Sequence, residues 1–315
     1  MIDVDSLPAV GTIAVPFYLM LIAFEAWGVR RGAWVGRFVG KDTATSLAMG
    51  AGSVVVGGVL AGVVFGIWPW VYEHRLFEIP VTVASAVVVF VLDDFRYYWS
   101  HRFGHRIRWV WASHVVHHSS GEYNLGTALR QTWTGPLTGM VVLGIPLVGL
   151  GFPPELIVFV HAINLTYQFW IHTEAIRRLP AWFEAIFNTP SHHRVHHGRN
   201  ARYLDANYAG VFIVWDRCFG TFVPERDDEP ADYGILHDIG SYNPVRVAFH
   251  EYIDIVRDQA QRGLSLRDRF RYLFAPPGWS HDGGRQGSEA VKREFVRAHP
   301  ECAGEPGLPA GSGGK

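Results

Sequence analysis

Residues 93–130 carry the chemistry of this chain: D-D-F-R-Y-Y-W-S-H-R-F-G-H-R-I-R-W-V-W-A-S-H-V-V-H-H-S-S-G-E-Y-N-L-G-T-A-L-R. His101 and His105 are spaced H-x3-H, and His114, His117 and His118 form H-x2-H-H. A second H-x2-H-H follows at His193, His196 and His197. On a helix, residues i, i+3 and i+4 share one face, so each cluster is expected to act as a comb of imidazoles directed at one point. Imidazole suits iron, zinc, copper and nickel. Eight such nitrogens exceed the four of a closed zinc site, which points to two metals sharing a site. Packed core histidines are the bland alternative. With 16 His in 315 residues, however, this set of motifs has a chance expectation on the order of 10⁻³.

The elements that must position these side chains are apolar. Runs at 12–29, 44–72, 79–92, 133–152 and 156–171 fill much of the first 171 residues, while charge crowds the last hundred. About 20 apolar residues span a bilayer. The expected architecture is all-α: an integral membrane helical bundle of about four to five apolar spans or hairpins under a cytosolic, histidine-rich helical cap. The fourth and fifth runs equally fit a tight hairpin of limited depth, closed at Gly151-Phe152-Pro153-Pro154. Gly58, Gly62 and Gly66 have the small-xxx-small spacing of closely packed membrane helices. Residues 1–92 read as N-terminal transmembrane helices and 93–222 as the membrane-embedded catalytic domain. Residues 223–285 read as a cytosolic extension with helices over 243–262 and 267–274, and 286–315 as a disordered tail.

Charge sets the orientation. Arg30, Arg31, Arg37 and Lys41 make the first connecting loop basic, which places it in the cytoplasm. Counting crossings then puts both histidine regions on that same face of a multi-pass protein. The acidic start Met1–Asp5 lacks a basic n-region, so the first run reads as a retained anchor. His161, Asn164, Gln168 and His172 form a polar stripe on the fifth run and should face the bundle interior. His172 sits level with the clusters as a ninth ligand. His161 lies about 16 Å earlier along a helix and reads as a hydrogen-bonded interior histidine.

A net charge of −1 gives no field to recruit nucleic acid. Cys218 and Cys302 are too few for a disulfide framework or a thiolate site. The chain has no dinucleotide fingerprint outside its apolar spans and no cysteine set for an iron–sulfur cluster. Electrons for any redox chemistry must come from a partner or a diffusible reductant.

Three histidine clusters in this order, preceded by hydrophobic spans, resemble the fatty acid hydroxylase/sterol desaturase superfamily of membrane di-iron oxygenases. The likeness extends through D-F-R-Y-Y-W-S-H-R, H-H-S-S-G-E-Y-N-L-G-T-A-L-R-Q, and Y-Q-F-W-I-H-T-E to N-Y-A-G-V-F-I-V-W-D-R-C-F-G-T-F. It covers roughly residues 90–222, and its wording is nearest the tetrahydrobiopterin-dependent ether-lipid monooxygenase branch. The resemblance implies that His101, His105, His114, His117, His118, His193, His196 and His197 are metal ligands, with His172 added by its Q-F-W-x-H context. Asp94, Asn124 and Arg130 also match family positions. Helix capping or an interhelical ion pair suits them at least as well as support of the ligands. His192 falls outside the pattern and reads as exposed.

The resemblance further implies two iron ions, O₂, and an external reductant, either tetrahydrobiopterin or a cytochrome-type donor. The expected activity is oxygen insertion into a C–H bond of a membrane lipid: an ether lipid, a fatty acyl chain or a sterol-like molecule. A desaturase would share the site, losing a second hydrogen in place of gaining oxygen. A histidine-rich metal transporter is a rival of another class, but transporters hold ligands near the midplane and these clusters lie outside the spans. A zinc hydrolase lacks support, since no H-E-x-x-H is present. Oligomeric state is left open.

Overall fold

The computed structural model describes residues 3–311. Parts of two sequence readings, the acidic N-terminus (residues 1 and 2) and the end of the tail (312–315), lie outside the described residues. The described chain is helical, with three isolated β-bridges and no strand. Two long helices, α1 (Val10–Arg30) and α2 (Gly40–Phe65), lead through the short α3 (Ile67–Glu73) into α4 (Val83–Arg106) and α5 (Arg108–His118). A stretch of 3₁₀ turns precedes α6 (Ile145–Leu150) and α7 (Pro154–Trp170). Then come α8 (Ala181–Ile186), α9 (Pro190–His197) and α10 (Val214–Cys218), followed by α11 (Pro244–Gln259), α12 (Leu266–Phe274) and α13 (Ser288–Ala298).

Of the five apolar runs, only the first two give helices long and apolar enough to cross a membrane: α1 and Gly40–Gly62 of α2. The third run is the first part of α4, which starts at a capping box between Thr82 and Ser85 that satisfies otherwise orphaned amides. The rest of α4 carries Asp93, Asp94 and the first histidines. The fourth run is broken into 3₁₀ turns at Gly135–Thr138 and Met140–Gly144 and the six-residue α6. Gly139 bends the chain there with φ 80°, and Pro136 and Pro146 lack the amide that a continuous helix needs. A span is therefore replaced by the shallow arrangement of α6 against α7, where Leu147 and Val148 pack with Leu156, Ile157 and Val160 around Trp68 and Val89.

The glycine stripe behaves differently from its spacing. A Cβ on Gly58 or Gly62 would meet nothing within 4 Å, so this face receives no neighbour from the described chain. Close approach occurs earlier on α2, where a Cβ on Gly50 would lie 2.8 Å from the Leu129 carbonyl. Nearby, Trp133 Nε1 donates to Met49 O at 3.0 Å.

Polar contacts fasten both long helices to the histidine region. Glu25 on α1 is buried, accepting from Leu125 N at 2.7 Å and from the Thr173 hydroxyl. Asp42 on α2 pairs with Arg130 at 2.9 Å and accepts from Ser120 Oγ at 2.7 Å. The extension docks onto α5 instead of standing apart. Arg108 pairs with Glu251 at 2.7 Å and with Asp258 at 2.6 Å, and Arg285 joins Asp258 from the far side. Removing one partner of such a buried pair costs about 3–5 kcal/mol. The tail, expected to be disordered, contains α13 and a 3₁₀ turn at Pro300–Cys302. Lys292 and Val296 of α13 are buried.

Candidate metal centre

Helices α4, α5 and α9, with the turn after α7, bring all nine expected histidines together. They form two groups, His101, His105, His114, His118 and His196 in one and His117, His172, His193 and His197 in the other; within each, the nitrogens lie within 4.8 Å of one another. The clusters therefore do not each address one point. In each H-x2-H-H the i and i+4 members stay together, and the i+3 member crosses to the other group: His117 in one direction, His196 in the other. Helix geometry explains the split. At 3.6 residues per turn, i and i+4 diverge by about 40°, whereas i+3 and i+4 splay by about 100°.

The spacing within each group fits a shared cation. His114 Nε2 lies 2.9 Å from His101 Nε2 and 3.0 Å from His118 Nε2. His172 Nε2 lies 3.1 Å from His117 Nε2 and 2.9 Å from His193 Nε2. Such separations arise when donors sit about 2.0–2.1 Å from one centre at roughly right angles. Hydrogen bonding alone cannot satisfy them. His172 Nδ1 donates to Gln168 O at 2.7 Å, which assigns its proton and leaves one Nε2 lone pair facing two nitrogens. His101 Nδ1 is likewise committed to Tyr208 O at 2.8 Å and His196 Nδ1 to Ala206 O at 2.9 Å. The buried Nε2 atoms of His105, His196 and His197 have no partner at all. Orphaned buried nitrogens are rare, and a metal in each group would satisfy them.

Burial also sets the protonation state. Desolvation pushes His101 down to about 3 and His172 to about 4. It pushes His114, His117, His118, His193, His196 and His197 well below the ordinary imidazole range, and neighbouring histidines add to the effect. These rings are neutral, the form that ligates.

A loop that sequence reasoning missed holds the five-histidine group. Asp205 and Asn207 both have φ 54°, a left-handed conformation that Asp and Asn tolerate better than most residues. The Asn207 side chain donates to His192 O and Val223 O and accepts from Val223 N. So held, the loop presents the Ala206 and Tyr208 carbonyls to His196 and His101, and sets Asp205 3.5 Å from His105 Nδ1. The D-A-N-Y wording offered a turn signal but no hint of these partners. Tyr123, also missed, stacks on His172 at 5.8 Å and donates to Ile171 O.

The other expected residues act through the scaffold. Asp94 accepts from Val211 N, Phe212 N, Trp215 Nε1 and Asn164 Nδ2. That approach requires Gly210, whose Cβ would lie 2.8 Å from Asp94 Oδ1. Asn164 in turn accepts from Gln168, the residue whose carbonyl holds His172. Asn124 closes a turn and donates to Arg37 O, and Arg130 makes the interhelical ion pair with Asp42. His161 is hydrogen-bonded as expected, its Nδ1 3.0 Å from both Asp93 and Arg96, but its side chain is 34% exposed at the edge of the α4–α7 contact instead of interior. His192, expected to be exposed, is only 2% exposed and packs against Phe222. Its place in α9 turns it inward beside His193.

A cavity of about 360 Å³ opens onto the five-histidine group, reaching His105, His118 and His196. Its lining mixes apolar side chains, among them Trp111, Val115, Leu204 and Leu236, with the charged Arg108, Glu251 and Asp254. Of the four-histidine group, only His197 touches this space.

Residues 86–221 match the family model for fatty acid hydroxylase. The chain is 40% identical over 283 residues to alkylglycerol monooxygenase of Homo sapiens, covering 87% of this chain and 61% of that protein. It is 38% identical to alkylglycerol monooxygenase of Danio rerio, over 91% of this chain and 64% of the relative. It is 28% identical over 151 residues to ornithine lipid hydroxylase OlsE of Rhizobium tropici, 48% of this chain and 45% of that one. The chain thus spans about three-fifths of the length of the alkylglycerol monooxygenases it matches. No solved structure matches it. The chain is thus similar to the alkylglycerol monooxygenases over most of its own length, and its residues 86–221 match the fatty acid hydroxylase family model.

Proposed function

We propose that the chain is a membrane-bound, non-haem di-iron monooxygenase that inserts oxygen into a C–H bond of an ether lipid. The observation that carries this reading is the pair of histidine groups, each with one nitrogen per ring within 4.8 Å of the others, which include buried nitrogens with no partner. Iron held there would supply O₂ activation and cleavage of an unactivated C–H bond. The chain's own residues do the rest. Backbone carbonyls of Tyr208, Ala206 and Gln168 hold protons away from the ligating nitrogens. The cavity, lined by both apolar and charged side chains, opens onto the five-histidine group and suits a substrate with apolar and polar parts.

The ether-lipid assignment draws on the two alkylglycerol monooxygenases. Electrons come from outside the chain, from tetrahydrobiopterin or a cytochrome-type donor. Membrane placement is supported by α1 and α2, which expose Phe17, Met20, Phe24, Val54 and Val59, side chains that suit lipid better than water. The basic loop joining these helices contacts the histidine end through Arg37 O and Asn124. The positive-inside rule therefore assigns the active site to the cytoplasmic face.

Hydroxylation next to an ether oxygen gives a hemiacetal that collapses to an aldehyde and a glycerol. Purified, iron-loaded protein should consume O₂ only with ether lipid and reductant both present, and release that aldehyde. A new C=C bond with no ¹⁸O incorporated from ¹⁸O₂ would move the assignment to a desaturase. No O₂ uptake with ether lipids, sterols or fatty acyls would end the oxygenase reading.

A further inference from the structure

A second cavity, of about 310 Å³, lies on the opposite side of Asp205 from the histidines. Its size falls at the small end of the range for small-molecule sites. Three cations line it: Arg102 and Arg106 from α4 and Lys292 from α13. Arg106 is already engaged, paired with Asp205 at 3.1 Å and Glu289 at 3.2 Å. The other two are not. Arg102 donates to the Tyr98 hydroxyl at 3.1 Å and lies over the Trp99 ring, with no carboxylate in ion-pair contact among the described residues. Lys292 is 8% exposed and makes no ion pair or hydrogen bond among the described residues.

Burying an ammonium without a counter-ion is costly. Burial accordingly pulls the Lys292 pKa down, against the weaker pull of Asp205 and Glu289. Arg102, partly buried in the lining of the same cavity, adds a second cation without an ion-pair partner among the described residues. Three cations and two carboxylates line the cavity, which leaves it a positive surplus, and Arg102 and Lys292 are the two cations there with no ion-pair partner among the described residues. A phosphate monoester carries about −1.5 to −2 at pH 7, and guanidinium offers it the paired donors that phosphate geometry takes.

We propose that the cavity between α4 and α13 is a binding site for a phosphate monoester group, held by Arg102 and Lys292. The site lies outside both histidine groups, and nothing in the proposed oxidation requires it. The phosphate could be that of a soluble ester or of a lipid headgroup; the chemistry at the cations is the same.

The test uses the full chain in detergent and follows hydrogen exchange at constant ionic strength, with inorganic phosphate, glycerol phosphate, short-chain phosphatidic acid, acetate or chloride. Phosphate-bearing probes should slow exchange in residues 288–298 and 219–223, and acetate and chloride should not. Lys292→Met should weaken phosphate binding at least about tenfold, the loss of one charge-assisted contact, and Lys292→Arg should restore it. Tighter binding of phosphatidic acid than glycerol phosphate would identify a headgroup site, and the reverse a soluble ester; either order supports the assignment. Equal protection by acetate and phosphate, or none by any phosphate probe on the unmodified protein, overturns it. The unmodified protein alone decides this, whether or not Lys292→Met folds.

Discussion

The five-histidine and four-histidine groups are drawn from the same sequence clusters, yet they are held by different means. In the five-histidine group, two imidazoles take their orientation from an irregular loop, through the carbonyls of Ala206 and Tyr208 on either side of a left-handed Asn207. In the four-histidine group, His172 is oriented by the last turns of α7 through Gln168 O. Tyr123 walls that group, itself stacked on Tyr233 at 4.8 Å. The cavity opens almost entirely on the first group. The difference pairs access with the kind of support: the group that faces the cavity leans on a loop, and the other on regular helix.

The sharpest way to break this comparison is to remove one imidazole from each group. His118→Ala and His193→Ala should each reduce lipid-dependent O₂ consumption by more than about 10²-fold, since losing even an outer partner of a ligand costs 10–100-fold. Elemental analysis should show each variant keeping metal in the untouched group. Loss of all metal from both variants would mean that the groups act as a single unit, and the contrast would dissolve.

Asn207→Ala should have a smaller, selective effect. It forces a Cβ-bearing residue without a compensating side chain into the left-handed region, a strain of about 1–3 kcal/mol. Metal should leave the five-histidine group first, with Asn207→Gly closer to the unmodified protein. Equal loss from both groups would show that the loop is not the specific support of one. Tyr123→Phe should do least. It strands Ile171 O at about 1 kcal/mol, read by thermal unfolding, and should leave metal content unchanged in both groups.

The histidine clusters were legible because helical spacing is written into the sequence. His114, His117 and His118 could be named together, but their division could not be read. Spacing specifies a face, and a face about 100° wide can serve two centres. Tyr208 and Ala206 were invisible because they act through carbonyls, which every residue carries. The fourth apolar run misled because hydropathy registers composition, while Gly139 and Pro146 decide whether apolar residues continue as one helix. In the tail, the glycines flanking 288–298 hid Val291, Phe295 and Val296, whose spacing suits one face of a helix. Lys292, buried on α13, would in any case have read as exposed.

Glu25 has a consequence for which substrates can be used. A carboxylate buried on a lipid-suited helix, bonded to Leu125 and Thr173, prevents α1 from sliding along or rotating about its own axis. With α1 in the bilayer as proposed, the depth of the histidine centre below the cytoplasmic headgroups is then set by the count of residues between Glu25 and the basic loop after Arg30, at about 1.5 Å each. The helix acts as a depth gauge, and the carbon of a lipid chain that meets the centre would be chosen by the length of α1 as well as by the walls of the cavity.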